Sequence, residues 1–264
     1  MNDDLASRWN EKVIWRELST LTDGQKERLS KNLDLVKLIS GVSCLGTIDR
    51  RLLAEFLSKS ENRLVKIKDF PSRLREMERF YGEVFGLQID FSDADVDVFS
   101  KRWGFNWLLV MLEGMTANRL FDKCAERFPS WKFTADLDKM IASVRQPDHT
   151  YPFLLKDSEE AGEEHAYKSA ERCAGEGLCA ITLEERLLLE IWYHWKTGRH
   201  LDQASWTLCG GSRGIWGPKG KYAICAYFLQ GAFHVSWWHW DTKDGALRAR
   251  EIFLPDGNRI IPKL

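Results

Sequence analysis

The segment Thr182-Leu-Glu-Glu185, with Leu187, Leu188, Ile191, Trp192 and Trp195 behind it, constrains this chain more than any other. A threonine followed three residues later by a glutamate is a capping box. The hydroxyl and the carboxylate satisfy backbone donors that the first helical turn leaves open. The apolar residues behind it recur at helical spacing and form a broad stripe. Gly198, after Lys196 and Thr197, is a normal helix stop. A helix with such a stripe needs a second layer to bury it against.

That layer is legible downstream. Tyr222 to Leu229 and Ala232 to Trp240 read as the two strands of a hairpin, with Gln230-Gly231 as the turn that needs a positive φ. On the second strand Phe233, Val235, Trp237 and His239 share one face, and His234, Ser236, Trp238 and Trp240 the other. Both faces are bulky, so cover on both sides is expected. Leu247 to Leu254 reads as a third strand, with Arg248 and Arg250 on a common face. Upstream, Phe105 to Leu112 is a continuous apolar run of strand length. A helix capped by Thr116 follows it as far as Phe128. Trp131 to Thr134 alternates as a short strand, Asp136 to Ile141 is a helical piece, and Tyr151 to Leu155 is a further strand.

The first 95 residues read differently. Helices are expected over 4–18, from the capping pattern Thr22-Asp-Gly-Gln25, from Thr47, and from Pro71 to Gly86, the last with Leu74, Met77, Tyr81 and Val84 inward. A helix-turn-helix with Arg50 and Arg51 on DNA is disfavoured, because the seven-residue connection is too long. The acidic run Asp90, Asp93, Asp95, Asp97 lacks the glycine and terminal glutamate of an EF-hand, and it marks the expected boundary. The resulting expectation is an α+β fold. A helical N-terminal region, residues 1–95, packs on a C-terminal domain, residues 96–264, with a mixed or antiparallel β-sheet.

A net charge of −1 provides no global attraction to nucleic acid or acidic membrane, so an electrostatic partner must be met by a local patch. No run approaches the length of a membrane span. The first twenty residues carry charges throughout, which does not fit a secretory signal, and a cytoplasmic protein is expected. The six cysteines, Cys44, Cys124, Cys173, Cys179, Cys209 and Cys225, include no CxxC pair, so free thiols rather than a metal site are expected. In the acidic stretch 157–172, Glu160, Glu163, Glu164 and His165 are read as solvated surface rather than as metal ligands. No cofactor is expected.

The segment with chemical potential lies between the helix and the hairpin. Lys196, Arg199, Arg213, Lys219 and Lys221 stand there against the single acid Asp202, and Gly210, Gly211, Gly214, Gly217 and Gly220 open the sequence CGGSRGIWGPKG. Glycines let backbone N–H groups approach an anion, arginine forks onto phosphate, and aromatic faces stack on bases. The expected ligand residues are Arg199, His200, Arg213, Trp216, Lys219 and Lys221, with Arg248 and Arg250 nearby. The named phosphate motifs fail. A Walker A loop would need glycine at Ile215 and Ser or Thr at Tyr222, and there is no GxG. An enzymatic alternative uses His200 and Asp202 as a base and its orienter, Cys209 or Ser212 as nucleophile and Arg213 on an oxyanion, but no nucleophile elbow is present.

From Phe105 to Leu254 the chain resembles a widespread group of bacterial proteins with no assigned activity. The matching segments are WKFTADLD (131–138), EEHAYKSA (163–170), ITLEERLLLE (181–190), TGRHLD (197–202), TLCGGSR (207–213) and LRAR (247–250). The resemblance implies that residues from about 100 onward form one unit, and it implies no function. The functional expectation is a soluble, non-catalytic binding protein for an anionic macromolecule such as nucleic acid, or for a protein partner. The alternatives are an enzyme on a phosphate-containing or nucleotide-like substrate, and a protein-binding inhibitor or adaptor that uses the N-terminal helices.

Overall fold

The computed structural model describes residues 64–66, 70–92, 100–102, 104–217 and 222–255. The expected helices before residue 63, the acids at 93, 95 and 97, and Lys219 and Lys221 lie outside them. The elements run β1 (Leu64–Lys66), α1 (Phe70–Phe85), β2 (Ser100–Arg102), β3 (Phe105–Met111), α2 (Ala117–Arg127), β4 (Ser130–Lys132), α3 (Leu137–Met140), β5 (Ile141–Ser143) and β6 (Tyr151–Lys156). After a 3-10 turn at Glu163–His165 come α4 (Ala170–Gly175), α5 (Leu183–Thr197), β7 (Trp206–Gly214), β8 (Tyr222–Leu229), β9 (Ala232–His239), β10 (Leu247–Ala249) and β11 (Ile252–Phe253). The fold class is α+β, as expected.

Two sheets carry the fold. The larger is mixed, in the order β10-β7-β8-β9-β4, with β5 also on β7. Its outer pairs, β10 with β7 and β4 with β9, are parallel, and its central pairs are antiparallel. The smaller sheet is antiparallel, in the order β11-β6-β3. The hairpin of β8 and β9 turns at Gln230 and Gly231, both at positive φ, as the two-residue connection requires. The segment read as a single strand from Leu247 to Leu254 is divided: β10 belongs to the larger sheet and β11 to the smaller.

Helix α5 begins at the expected capping box. The Thr182 hydroxyl accepts from Glu185 N at 3.2 Å, and the Glu185 carboxylate accepts from Thr182 N at 2.8 Å. Gly198 closes the helix in the left-handed region. The single apolar stripe understates its burial. Every residue from Leu183 to Tyr193 is buried, Glu184, Glu185, Arg186 and Glu190 among them. The helix packs on α1, α2 and β3 and on β7 and β8 of the larger sheet, which covers it as far as Tyr193, while its last turn reaches solvent. Its tryptophans also tie it to α1: Trp192 and Trp195 donate to Glu76 and Glu83 at 3.2 and 2.8 Å.

The compact unit that holds these elements starts at Leu64. Helix α1, assigned from sequence to the N-terminal region, contributes Phe70, Leu74, Met77, Phe80 and Tyr81 to the same apolar core as β3 and α5. Physically, β3 is a long apolar strand at the edge of its sheet, an edge that native folds must cover. Tyr81 donates its hydroxyl proton to the Val110 carbonyl at 2.6 Å, and the Arg73 guanidinium donates to the Asn106 carbonyl. No described helix is long and apolar enough to cross a membrane.

Candidate binding surface

The segment expected to be a cationic, glycine-opened loop is mostly a strand. Residues 206–214 form β7, central in the larger sheet. Its glycines serve close packing. A Cβ on Gly211 would lie 2.7 Å from the Ala180 carbonyl oxygen, where β7 passes the start of α5. A Cβ on Gly214 would lie 2.1 Å from the Trp216 ring, which rests on that backbone. Trp216 in turn stacks on Tyr222 at 4.7 Å and 4°, so its faces are occupied.

Of the expected ligand residues that are described, Arg199, His200, Arg248 and Arg250 are each held by other groups of the protein. Arg250 is buried and donates to Asp202 at 2.7 Å and to the Ser158 and Glu159 carbonyls at 2.8 and 2.7 Å. Arg199 pairs with Glu159 and donates to the Tyr193 hydroxyl. Arg248 donates to the Gly245 carbonyl at 2.8 Å. Arg213 is exposed. His200 holds Glu190 through Nδ1 at 2.9 Å, and its ring stacks flat on Phe228 at 3.7 Å and 6°.

The enzymatic set is also separated. Asp202 does not orient His200. It accepts from Arg186 through Nε and Nη2 at 3.0 and 2.8 Å, from Arg250, and from the Thr207 hydroxyl. Burial opposes its charge, but Arg250 and Arg186 beside it hold its carboxyl below the usual carboxylate range. Arg186 also reaches Glu190 at 2.7 Å. The result is a buried, charge-compensated knot that joins α5, the 200–202 turn, β7 and the segment after β10. Such a knot needs nearly all of its hydrogen bonds to offset desolvation, and here they are made. The Cys209 thiol is fully buried, and burial pushes it far above the usual range, the reverse of an activated nucleophile. Ser212 is buried as well, its hydroxyl accepting from Leu183 N at 2.8 Å. In the acidic stretch, Glu160 is not free surface, because its carboxylate accepts from the backbone of Gln203, Ala204 and Ser205.

The surface that stands out is one the sequence reading left open. Sheet register places Trp131 of β4 opposite His234 of β9, and His234 opposite Tyr227 of β8. Trp206 of β7, next to Thr207, which pairs with Ala226, completes the row. The rings follow one another across four strands. Trp131 and His234 are 5.8 Å apart, His234 and Tyr227 5.2 Å at 6°, Tyr227 and Trp206 4.4 Å at 18°, and Trp238 flanks Trp206 at 5.6 Å. Helix α4 covers the sheet beside this row, where Ala170 and Cys173 meet Leu208, Ala223, Cys225 and Leu247. The expected cover on both faces of β9 is therefore partial. Trp131 at the open end is 50 % exposed, and the other four rings are half-buried. Period-2 alternation in β9 marked His234 and Trp238 as sharing a face. The pairing with β4 and β7 that makes the row is long-range and invisible to periodicity.

No family model matches the chain, and no curated protein or solved structure is significantly similar to it.

Proposed function

We propose that the chain is a binding protein whose partner is another protein, and that the row Trp131–His234–Tyr227–Trp206 with Trp238 is its contact surface. The observation that carries this reading is a continuous line of half-exposed rings across four strands, ending in a tryptophan that is half open to solvent. Tryptophan and tyrosine are enriched where proteins meet, because they bury a large area and keep a polar edge. Nucleic acid is the weaker partner. Ring faces are what bases stack on, and three of these rings already turn their faces to one another. Among the described residues, the cations expected to grip phosphate are also engaged, Arg199, Arg248 and Arg250 by protein acceptors, while Arg213 is exposed. Catalysis through His200, Asp202 and Cys209 finds no support in their geometry. We place the interaction in the cytoplasm, a reading that the buried thiols Cys124, Cys173, Cys209 and Cys225 support.

The experiment compares wild type with a Trp131→Ala/His234→Ala variant of unchanged circular dichroism. Proteins cross-linked from a host extract are quantified by mass spectrometry, alongside salt-dependent retention on heparin. The reading expects one partner to fall by roughly tenfold in the variant, the effect of losing an interface anchor. An unchanged cross-linked set overturns it. So does tight, salt-sensitive heparin binding that Arg213→Ala removes, which would reinstate the polyanion.

A further inference from the structure

Two histidines lie under the open end of the aromatic row. His194, in the last turn of α5, stacks on His200 with centroids 4.8 Å apart and planes at 27°. Both rings meet the edge of Phe128, at 5.0 and 4.9 Å, and Phe128 also touches Phe233 of β9. Phe128 is the C-cap of α2, and the chain passes from it directly into β4. The connection is tight. Phe233 N donates to the Pro129 carbonyl at 2.8 Å, and the Ser130 hydroxyl donates to the Phe128 carbonyl at 3.0 Å. Trp131 follows at once. The histidine pair therefore seats the phenylalanine that seats the edge strand carrying the exposed tryptophan.

His194 is poorly suited to carry a proton. His194 Nδ1 is buried and has no hydrogen-bond partner among the described residues, so a proton added there gains no acceptor from them. The groups facing His194 are Arg127 from α2, Glu190 from its own helix and His200 from the following turn, with Phe128 on its edge. Glu190 is the only carboxylate among them, and it is already engaged by Arg186 and by His200 Nδ1. An imidazolium at 194 would thus meet a cation, a second imidazole and an aromatic edge.

From this arrangement we infer that His194 is an acid-sensitive latch for the binding surface. Protonation unseats Phe128, loosens β4 and withdraws Trp131 from the row. This rests on the reading of the row as the contact surface. Burial depresses the basicity of His194, with His200 and Arg127 adding to the effect, so the neutral ring is the form the fold prefers. The unfolded chain then takes up the proton first, and the latch holds above the usual histidine pKa of about 6.5 and weakens as pH falls below it.

The test is hydrogen exchange of residues 128–133, corrected for intrinsic rates, at about pH 7.5 and about pH 5.5, in wild type and His194→Gln. Protection of this segment should fall by roughly tenfold in acid in wild type and hold in the variant, while β7 and β8 keep theirs. An equal loss in both proteins, or a loss spread evenly over the whole unit, overturns the latch. A second measurement needs no variant of the latch. In wild type, the indole N–H resonance of Trp131, assigned with Trp131→Phe, should move with the His194 ring at a common midpoint below about 6.5; a stationary indole overturns the proposal. If segment 128–133 loosens in acid but no cross-linked partner is found at either pH, the latch stands and the contact-surface reading falls.

Discussion

Arg186 grips Asp202 with two guanidinium nitrogens on one carboxylate oxygen, Nε at 3.0 Å and Nη2 at 2.8 Å, both side chains fully out of solvent. The pair holds the 200–202 turn against the middle of α5, with Asp202 in the left-handed region at φ 53°. Breaking one side strands a buried charge. Asp202→Ala should cost about 3–5 kcal/mol. Arg186→Met with Asp202→Ala should cost less than the sum of the single changes, because the second removes a charge that the first left unpaired. Urea unfolding of the three variants measures both.

Glu184 gives a prediction of opposite sign. Burial is the main cause holding its carboxyl above the usual range, despite the Ser143 hydroxyl that donates to it at 2.7 Å. A group whose folded pKa is raised contributes stability at low pH, and that contribution is lost as pH rises from the unfolded value of about 4.3 through the folded one. Glu184→Gln keeps an acceptor for Ser143 and removes the titration. The variant should gain about 1 kcal/mol over wild type at pH near 8, and little below pH near 4. Chemical denaturation at the two pH values checks it.

Among the described cysteines, thiol reactivity separates the buried ones from the half-buried one. Cys124, Cys173, Cys209 and Cys225 are buried, and burial pushes each thiol up, Cys225 to about 12. Cys179 is half-buried, so its sulfur is the most open of the five to a reagent. Among these five, iodoacetamide at pH near 8 should label Cys179 first, by at least about tenfold. Peptide mapping during a time course reads the order, and early labelling of Cys209 would contradict the placement of β7.

The glycines of β7 should be intolerant for steric reasons. Gly211→Ala forces the strand away from Ala180 and should cost about 2 kcal/mol or more. Gly214→Ala should displace Trp216 from its stack on Tyr222, a change that near-UV circular dichroism registers even if the midpoint of unfolding moves little. If both variants match wild type in stability and spectrum, the packing described for β7 is wrong.

The sequence showed α5 and its caps, the β8–β9 hairpin and the apolar strand β3 because each is written in short-range spacing. It misread Cys209 to Gly214 because glycines that admit a neighbouring backbone look the same as glycines that admit a phosphate. Nothing in the order of residues says that Ala180 will lie against Gly211. It likewise treated Arg250 as a surface cation, since its four partners, Ser158, Glu159, Asp202 and Thr207, lie between 43 and 92 residues before it. Arg186 and Glu190 were the one accessible clue. They are an i, i+4 ion pair separated by Leu187, Leu188 and Leu189 and followed by Ile191 and Trp192, a setting that places the pair inside rather than on a solvated face. The aromatic row was half visible, in the alternation of β9, and hidden where it depends on β4 and β7.

One short segment belongs to both sheets. Within seven residues the chain runs along β7 as β10, plants Arg250 in the buried knot, and leaves as β11 along β6. The larger and smaller sheets therefore each take an edge strand from this one segment. Heating should dissolve them in one transition, and a ribosome that has not yet delivered Leu247 to Phe253 holds a chain in which neither sheet has its final edge.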